Sequence, residues 1–143
     1  MLIWSQAVYE ISELKLDKMT KIVSSPNCGN SPKMEFLKGL NIAFANGNSE
    51  FVIESVTDDI VWDIIGDRKI EGKEKYVEEL EKMKSQQATE LIIHQILSHG
   101  KEGAANGIMK MKDGKTYAFA DLYVFKSTKG EKIKSITSYS IEI

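Results

Sequence analysis

Apolar residues recur at helical spacing over the first part of this chain and alternate over the rest, so helices are expected first and strands afterwards. Between positions 2 and 22, Trp4, Ala7 or Val8, Ile11, Leu14 and Ile22 predict a helix, read as an extension docking on the domain. The Gly, Pro and Asn content of 24–32 predicts a loop. Ser31 then serves as N-cap and Pro32 as first residue of a helix with the apolar stripe Phe36, Leu37, Leu40, Ala43 and Phe44. Asn46, Gly47 and Asn48 end it, and a short helix from Ser49 to about Val56 buries Phe51, Val52 and Val56.

The period changes after Thr57, Asp58 and Asp59, which read as a turn. Ile60–Ile65 is β-branched and apolar, predicting a strand, and 70–72 a brief extended piece. Tyr76, Val77, Leu80 and Met83 mark an amphipathic helix over 73–84. Four strands follow: 89–98, 104–111, 116–126 and 132–143. Short turns at 99–103, Asp113-Gly114 and 127–130 join them into an antiparallel meander. The class is therefore α+β: N-terminal helices packed on a strongly curved, mainly antiparallel sheet, with room for a pocket between the layers.

The strand 116–126 holds the best functional clue. Tyr117, Phe119, Asp121, Tyr123 and Phe125 point one way, and Ala118, Ala120, Leu122 and Val124 the other. Both faces are largely apolar, so burial on both sides is expected, with Asp121 among aromatic rings. A carboxylate there must be paired, neutralised by a raised pKa, or open to a cavity. Composition adds limits rather than direction. With 19 basic and 21 acidic residues in 143, the chain lacks a nucleic-acid or anionic-membrane footprint. The lone Cys28 allows no intramolecular disulfide, and no apolar run reaches the ~20 residues of a membrane span; the expectation is cytoplasmic.

His94 lies mid-strand with Ile92 and Ile96. On the Asp121 face it would form an acid–base pair; otherwise it is core or surface. His99 belongs to a turn. Trp62 and Phe119 read as pocket walls, and Met109 with Met111 as an adaptable apolar face. Asp63 points away from Trp62 and pairs with solvent or a lysine unless a bulge re-aims it. Tyr139 offers a hydroxyl near the last strand's end, in competition with Tyr117 and Tyr123; Ser135 and Thr137 would share its face. Cys28 has no second Cys or nearby His, so no metal site is expected. No phosphate-binding glycine loop, nucleophile elbow or HExxH is present.

Several pieces in order resemble the nuclear transport factor 2-like superfamily, with its SnoaL-like and ketosteroid-isomerase-like members. Residues 40–48 resemble the end of that family's first helix, 56–62 its acidic turn into a strand, and 70–74 its entry to the next helix. The run from Phe125 through Gly130 and Ile133 to Tyr139 resembles its closing hairpin. The resemblance covers about 34–143 and implies a cone-shaped (cystatin-like) domain over 31–143, with 1–30 as a helical extension and loop. It also implies homodimers paired through the sheet, and functions from isomerases, cyclases, hydrolases and dehydratases to non-catalytic binding and scaffolding, so fold alone says little about activity.

Ketosteroid isomerases combine a base Asp, a Tyr and a protonated Asp. Asp121 falls on the last of these positions; the Tyr position falls on Leu40, and the base position on or beside Ile64. Steroid isomerisation by that constellation is not expected. The reading is a small-molecule-binding protein for an apolar ligand; if it is catalytic, the chemistry expected is cofactor-free proton transfer such as isomerisation, cyclisation or dehydration. Asp121 would be acid or anchor, His94 base, Tyr139 donor, and Leu40, Trp62, Met109, Tyr117, Phe119 and Tyr123 the ligand-binding wall. The alternative is a non-catalytic ligand-binding or dimerisation module.

Overall fold

The computed structural model describes residues 20–143. Along the chain run β1 (Lys21–Ser24), α1 (Pro32–Asn46), α2 (Ser49–Glu54), β2 (Val56–Ile64), β3 (Arg68–Glu71) and α3 (Lys73–Met83). Then follow β4 (Ala88–His99), β5 (Glu102–Met111), β6 (Thr116–Phe125) and β7 (Ile133–Glu142). These strands form one sheet of seven in the order β1-β4-β5-β6-β7-β2-β3. The meander from β4 to β7 is antiparallel, while β1 joins β4 and β2 joins β7 in parallel. An α+β cone results, its sheet curved and unclosed, its helices on the concave side.

Local chemistry sets the helix ends. Ser31 Oγ accepts from the Met34 N–H at 3.3 Å, and Pro32 starts α1 where no N–H is needed. Gly47 (φ 73°) closes the helix, donating to Phe44 O at 3.1 Å, while Asn48 N reaches Ala43 O at 2.8 Å. Leu37, Ile60, Leu91, Ile93, Phe125 and Ile133 are fully buried between the layers.

Three expectations need correction. The predicted helix over 2–22 lies outside the described residues up to position 19, and its last residues, Lys21 and Ile22, are strand. Four residues hydrogen-bonded in parallel beside β4 have too short a pattern to show in sequence. Thr57, Asp58 and Asp59 do not turn the chain but run within β2, across a register shift against β7. The outer face of β6 is not buried: Leu122 is 50% and Val124 37% exposed.

Sheet curvature has a visible cause. Between Ile93 and Gln95 the register of β4 on β5 shifts, so His94 is an extra residue in a β-bulge. Leu91, Ile93 and Ile96 are buried in consequence, and the strict alternation breaks. Opposite the bulge, a Cβ on Gly107 would lie 1.9 Å from Ile92 O, so only glycine admits this approach. Gly107→Ala is expected to cost about 2 kcal/mol or more in urea unfolding. Gly114→Ala, with open space but a φ of 89°, should cost about 1 kcal/mol. Equal losses in the two variants would remove the bulge contact as a constraint on the sheet.

Candidate functional site

A cavity of about 540 Å³ opens between the helices and the concave face. Its inner wall is aromatic and aliphatic: Leu40 and Phe44 from α1, Trp62 and Ile64 from β2, Tyr76 from α3, Tyr117 and Phe119 from β6. Met83, Met109 and Met111 line the wider part, and the exposed side chains Asp67, Lys112, Asp113 and Lys115 form the rim. Trp62 anchors the wall, edge-on to Phe44 at 6.3 Å and tilted 65° against Tyr76 at 5.5 Å. A smaller hollow of about 100 Å³ adjoins near Ala43 and Leu80 and brings no carboxyl or histidine.

Asp121 lies on this wall because β6 alternates and its concave set, Tyr117 to Phe125, faces the helices. Register places Ser138 of β7 directly beside it. A chain of hydrogen bonds then crosses the cavity floor. Asn41 Nδ2 donates to Leu37 O at 2.8 Å and to Tyr123 Oη at 3.2 Å. Tyr123 Oη donates to Asp121 Oδ2 at 3.4 Å, and the Ser138 hydroxyl also donates to Asp121. Trp62 Nε1 donates to Ser138 Oγ at 2.9 Å. Burial pushes the Asp121 pKa up to about 6, against the opposing bonds from Ser138 and Tyr123. Burial first, and the Asp121 charge second, push the hydroxyls of Tyr76 and Tyr123 well above the ordinary phenol value.

Leu40, Trp62, Met109, Tyr117, Phe119 and Tyr123 all border the cavity with Asp121. His94 does not: it is exposed at the bulge, away from the cavity, and the acid–base pair with Asp121 is absent. Tyr139 pairs with Ala120, on the sheet face opposite Asp121; it is 46% exposed and meets only the cavity's edge. Asp63, between cavity-lining Trp62 and Ile64, faces away. Ser135 and Thr137 share the outer face with Tyr139. Among the described residues no three His, Cys, Asp or Glu side chains cluster to hold a metal ion.

Three contributors escaped the sequence reading. Tyr76 looked like one more apolar position of a helical stripe. Asn41 is 6% exposed, a polar residue inside the α1 stripe, and that misfit was a legible signal. Ser138 needed the β6–β7 register.

No family model matches the sequence, and no curated protein does. Solved structures do match. An NTF2-like protein of unknown function from Cytophaga hutchinsonii is 23% identical, with 75% of this chain and 97% of that chain covered at a TM-score of 0.60. One from Burkholderia xenovorans, also of unknown function, is 16% identical over 78% and 84% of the two chains, TM-score 0.66. An LEH-like epoxide hydrolase from M. tuberculosis is 17% identical over 76% and 82%, TM-score 0.65. The chain has the NTF2-like fold. At these identities the likeness extends to fold and not to activity.

Because the folded-state pKa of Asp121 is raised from 3.8 to about 6, the native state binds more protons than the unfolded chain between those values. Wild-type stability therefore falls as pH rises through that window and levels off above it. The full effect is at most about 3 kcal/mol. Asp121→Asn should lack this loss, so its stability relative to wild type should rise between pH 4 and pH 7 in urea unfolding. A pH-independent difference between the two proteins would contradict the assignment.

Proposed function

We propose that the cavity binds a small, mainly apolar molecule and that Asp121 exchanges a proton with it, in a cofactor-independent isomerisation, cyclisation or dehydration. One observation carries this reading: a carboxyl with a pKa of about 6 opens into an apolar cavity of about 540 Å³. That volume is in the range of small-molecule sites, and a pKa near neutrality lets one group both take and return a proton. Trp62 and Phe119 serve as walls, and Tyr123 and Ser138 hold the carboxyl. Neither His94 nor Tyr139 takes part. The epoxide hydrolase among the structural neighbours supports a small-molecule reading of the fold.

A second reading has its own support. On the outer sheet face Leu122 is 50% exposed, Ile141 69% and Leu97 62%, an apolar surface suited to a second copy of the chain. We propose a homodimer through that face, which a non-catalytic ligand-binding or dimerisation module would share. The balanced charge and lone Cys28 fit a cytoplasmic protein without nucleic-acid or membrane partners. Among the described residues no helix is long and apolar enough to cross a membrane.

Thermal melts with phenols, naphthols and planar enones test the first reading. At least one class should raise the Tm saturably, with a pH dependence between 6 and 8 that Asp121→Asn abolishes. Silence across the panel, with Asp121→Asn merely less stable, would make Asp121 structural. For the assembly, sedimentation should give twice the chain mass, and the double substitution Leu122→Glu with Ile141→Lys should yield a folded monomer. A wild-type monomer at micromolar concentration would rule the dimer out.

A further inference from the structure

The hydroxyl of Tyr76 belongs to the cavity wall but not to the hydrogen-bond chain that holds Asp121. The residue is 2% exposed and lines the cavity, yet its hydroxyl has no hydrogen-bond partner among the described residues. It is not aimed by chance. The Tyr76 N–H donates to Gly72 O at 3.0 Å in the first turn of α3, and the ring is clamped against Trp62. Among the described residues only Asn106 Oδ1 is a fully enclosed side-chain polar atom without a partner, so the Tyr76 hydroxyl reaches the cavity space, where a ligand's acceptor can take the place of water.

Asp121 offers the opposite capacity. An ionised carboxylate accepts about four hydrogen bonds, and Tyr123 and Ser138 fill two of them. Asp121 lines the cavity, so its remaining lone pairs are available to a ligand and can only accept. We infer that the inner cavity selects neutral ligands that present a hydrogen-bond acceptor beside a donor, Tyr76 serving the acceptor and Asp121 the donor. This inference rests on the ligand-binding reading above and names its substrate class: carboxamides, lactams and hydroxy-carbonyl compounds on a flat apolar body.

Two kinds of molecule are excluded by the same geometry. A carboxylate or phosphate would bring a second negative charge beside Asp121 in a poorly solvated space, where like charges repel strongly. The charge of Asp121 already acts on the hydroxyls of both Tyr76 and its hydrogen-bond partner Tyr123. The rim gives no compensating pull, since its exposed groups are Asp67 and Asp113 against Lys112 and Lys115. An ester or ether lacks the donor and leaves the carboxylate unpaired inside an apolar wall, a loss worth about tenfold or more in affinity.

Isothermal titration at pH 8 with 2-naphthamide, methyl 2-naphthoate and 2-naphthoate separates these cases. Wild type should bind the amide about tenfold or more tightly than the ester, and the carboxylate weakest. Tyr76→Phe keeps the ring on Trp62 and should weaken amide and ester alike by about tenfold. Asp121→Asn removes the charge, so the carboxylate should gain about tenfold on the amide. Melting curves of both variants confirm folding. Equal affinities for the three compounds, a carboxylate that binds tightest, or a Tyr76→Phe protein with wild-type affinities would each overturn the inference. If none of the three binds while naphthols or enones do, the donor–acceptor assignment is wrong and the ligand-binding reading stands; if nothing binds, both fall.

Discussion

A carboxyl group inside an apolar cavity is the constraint on which the rest of the site depends. Removing Asp121 from water disfavours its charge, and two hydroxyl donors offset part of that cost. Those donors are themselves held: Tyr123 by Asn41 from α1, Ser138 by the indole of Trp62 from β2. Four elements thus converge on one side chain. Compensation is partial, and this leaves the pKa near 6 instead of at an ordinary surface value. A slip of one residue between β6 and β7 would put Thr137 or Tyr139 beside Asp121 and turn Ser138 to the outer face.

Room for a ligand depends on how the sheet bends. The bulge at His94 and the close approach of Gly107 to Ile92 curve β4 and β5 around α1. At one end a Cβ on Gly103 would come within 2.7 Å of Leu37, and Phe125 is fully buried beside it, so that end is filled by protein. At the other end Met109 and Met111 spread from α1 and α3, and the cavity opens toward the β5–β6 turn. The same strand therefore closes the core with small residues and lines the opening with flexible ones.

Much of the fold was legible because its signals are local. The caps at Ser31 and Gly47, the stripe of α3 and the meander of β4 to β7 each follow from periodicity and turn chemistry. The polar centre of the site was legible where one strand sufficed, since Asp121, Phe119, Tyr117 and Tyr123 share a face by alternation alone, and the apolar walls Leu40, Trp62 and Met109 followed from their own elements. The polar pairings between elements were not. Whether His94 met Asp121 turned on a bulge, and a single extra residue reversed its face. Ser138 required a register between strands, and the free hydroxyl of Tyr76 a packing arrangement between α3 and β2. The position of Tyr139, on the outer face but at the cavity's edge, likewise rests on its parity relative to Asp121 across the β6–β7 pair.

The proposed chemistry narrows further once the proton inventory is considered. Among the described residues, Asp121 is the sole carboxyl on the cavity wall away from the exposed rim, and no histidine lines the cavity. Tyr76 and Tyr123 have raised pKa values, so they stay protonated and can donate hydrogen bonds but cannot serve as bases near neutral pH. A proton taken by Asp121 must then be given back by Asp121. Of the three reaction classes proposed, dehydration needs one group to take a proton from carbon and to deliver one to the departing hydroxyl, two positions that a single carboxyl must reach in turn. Isomerisation asks for less, since the proton leaves one atom and returns to another of the same bound molecule. With a free phenol beside it to hold the ligand's oxygen throughout, the geometry favours transfer within one molecule over loss of a group from it.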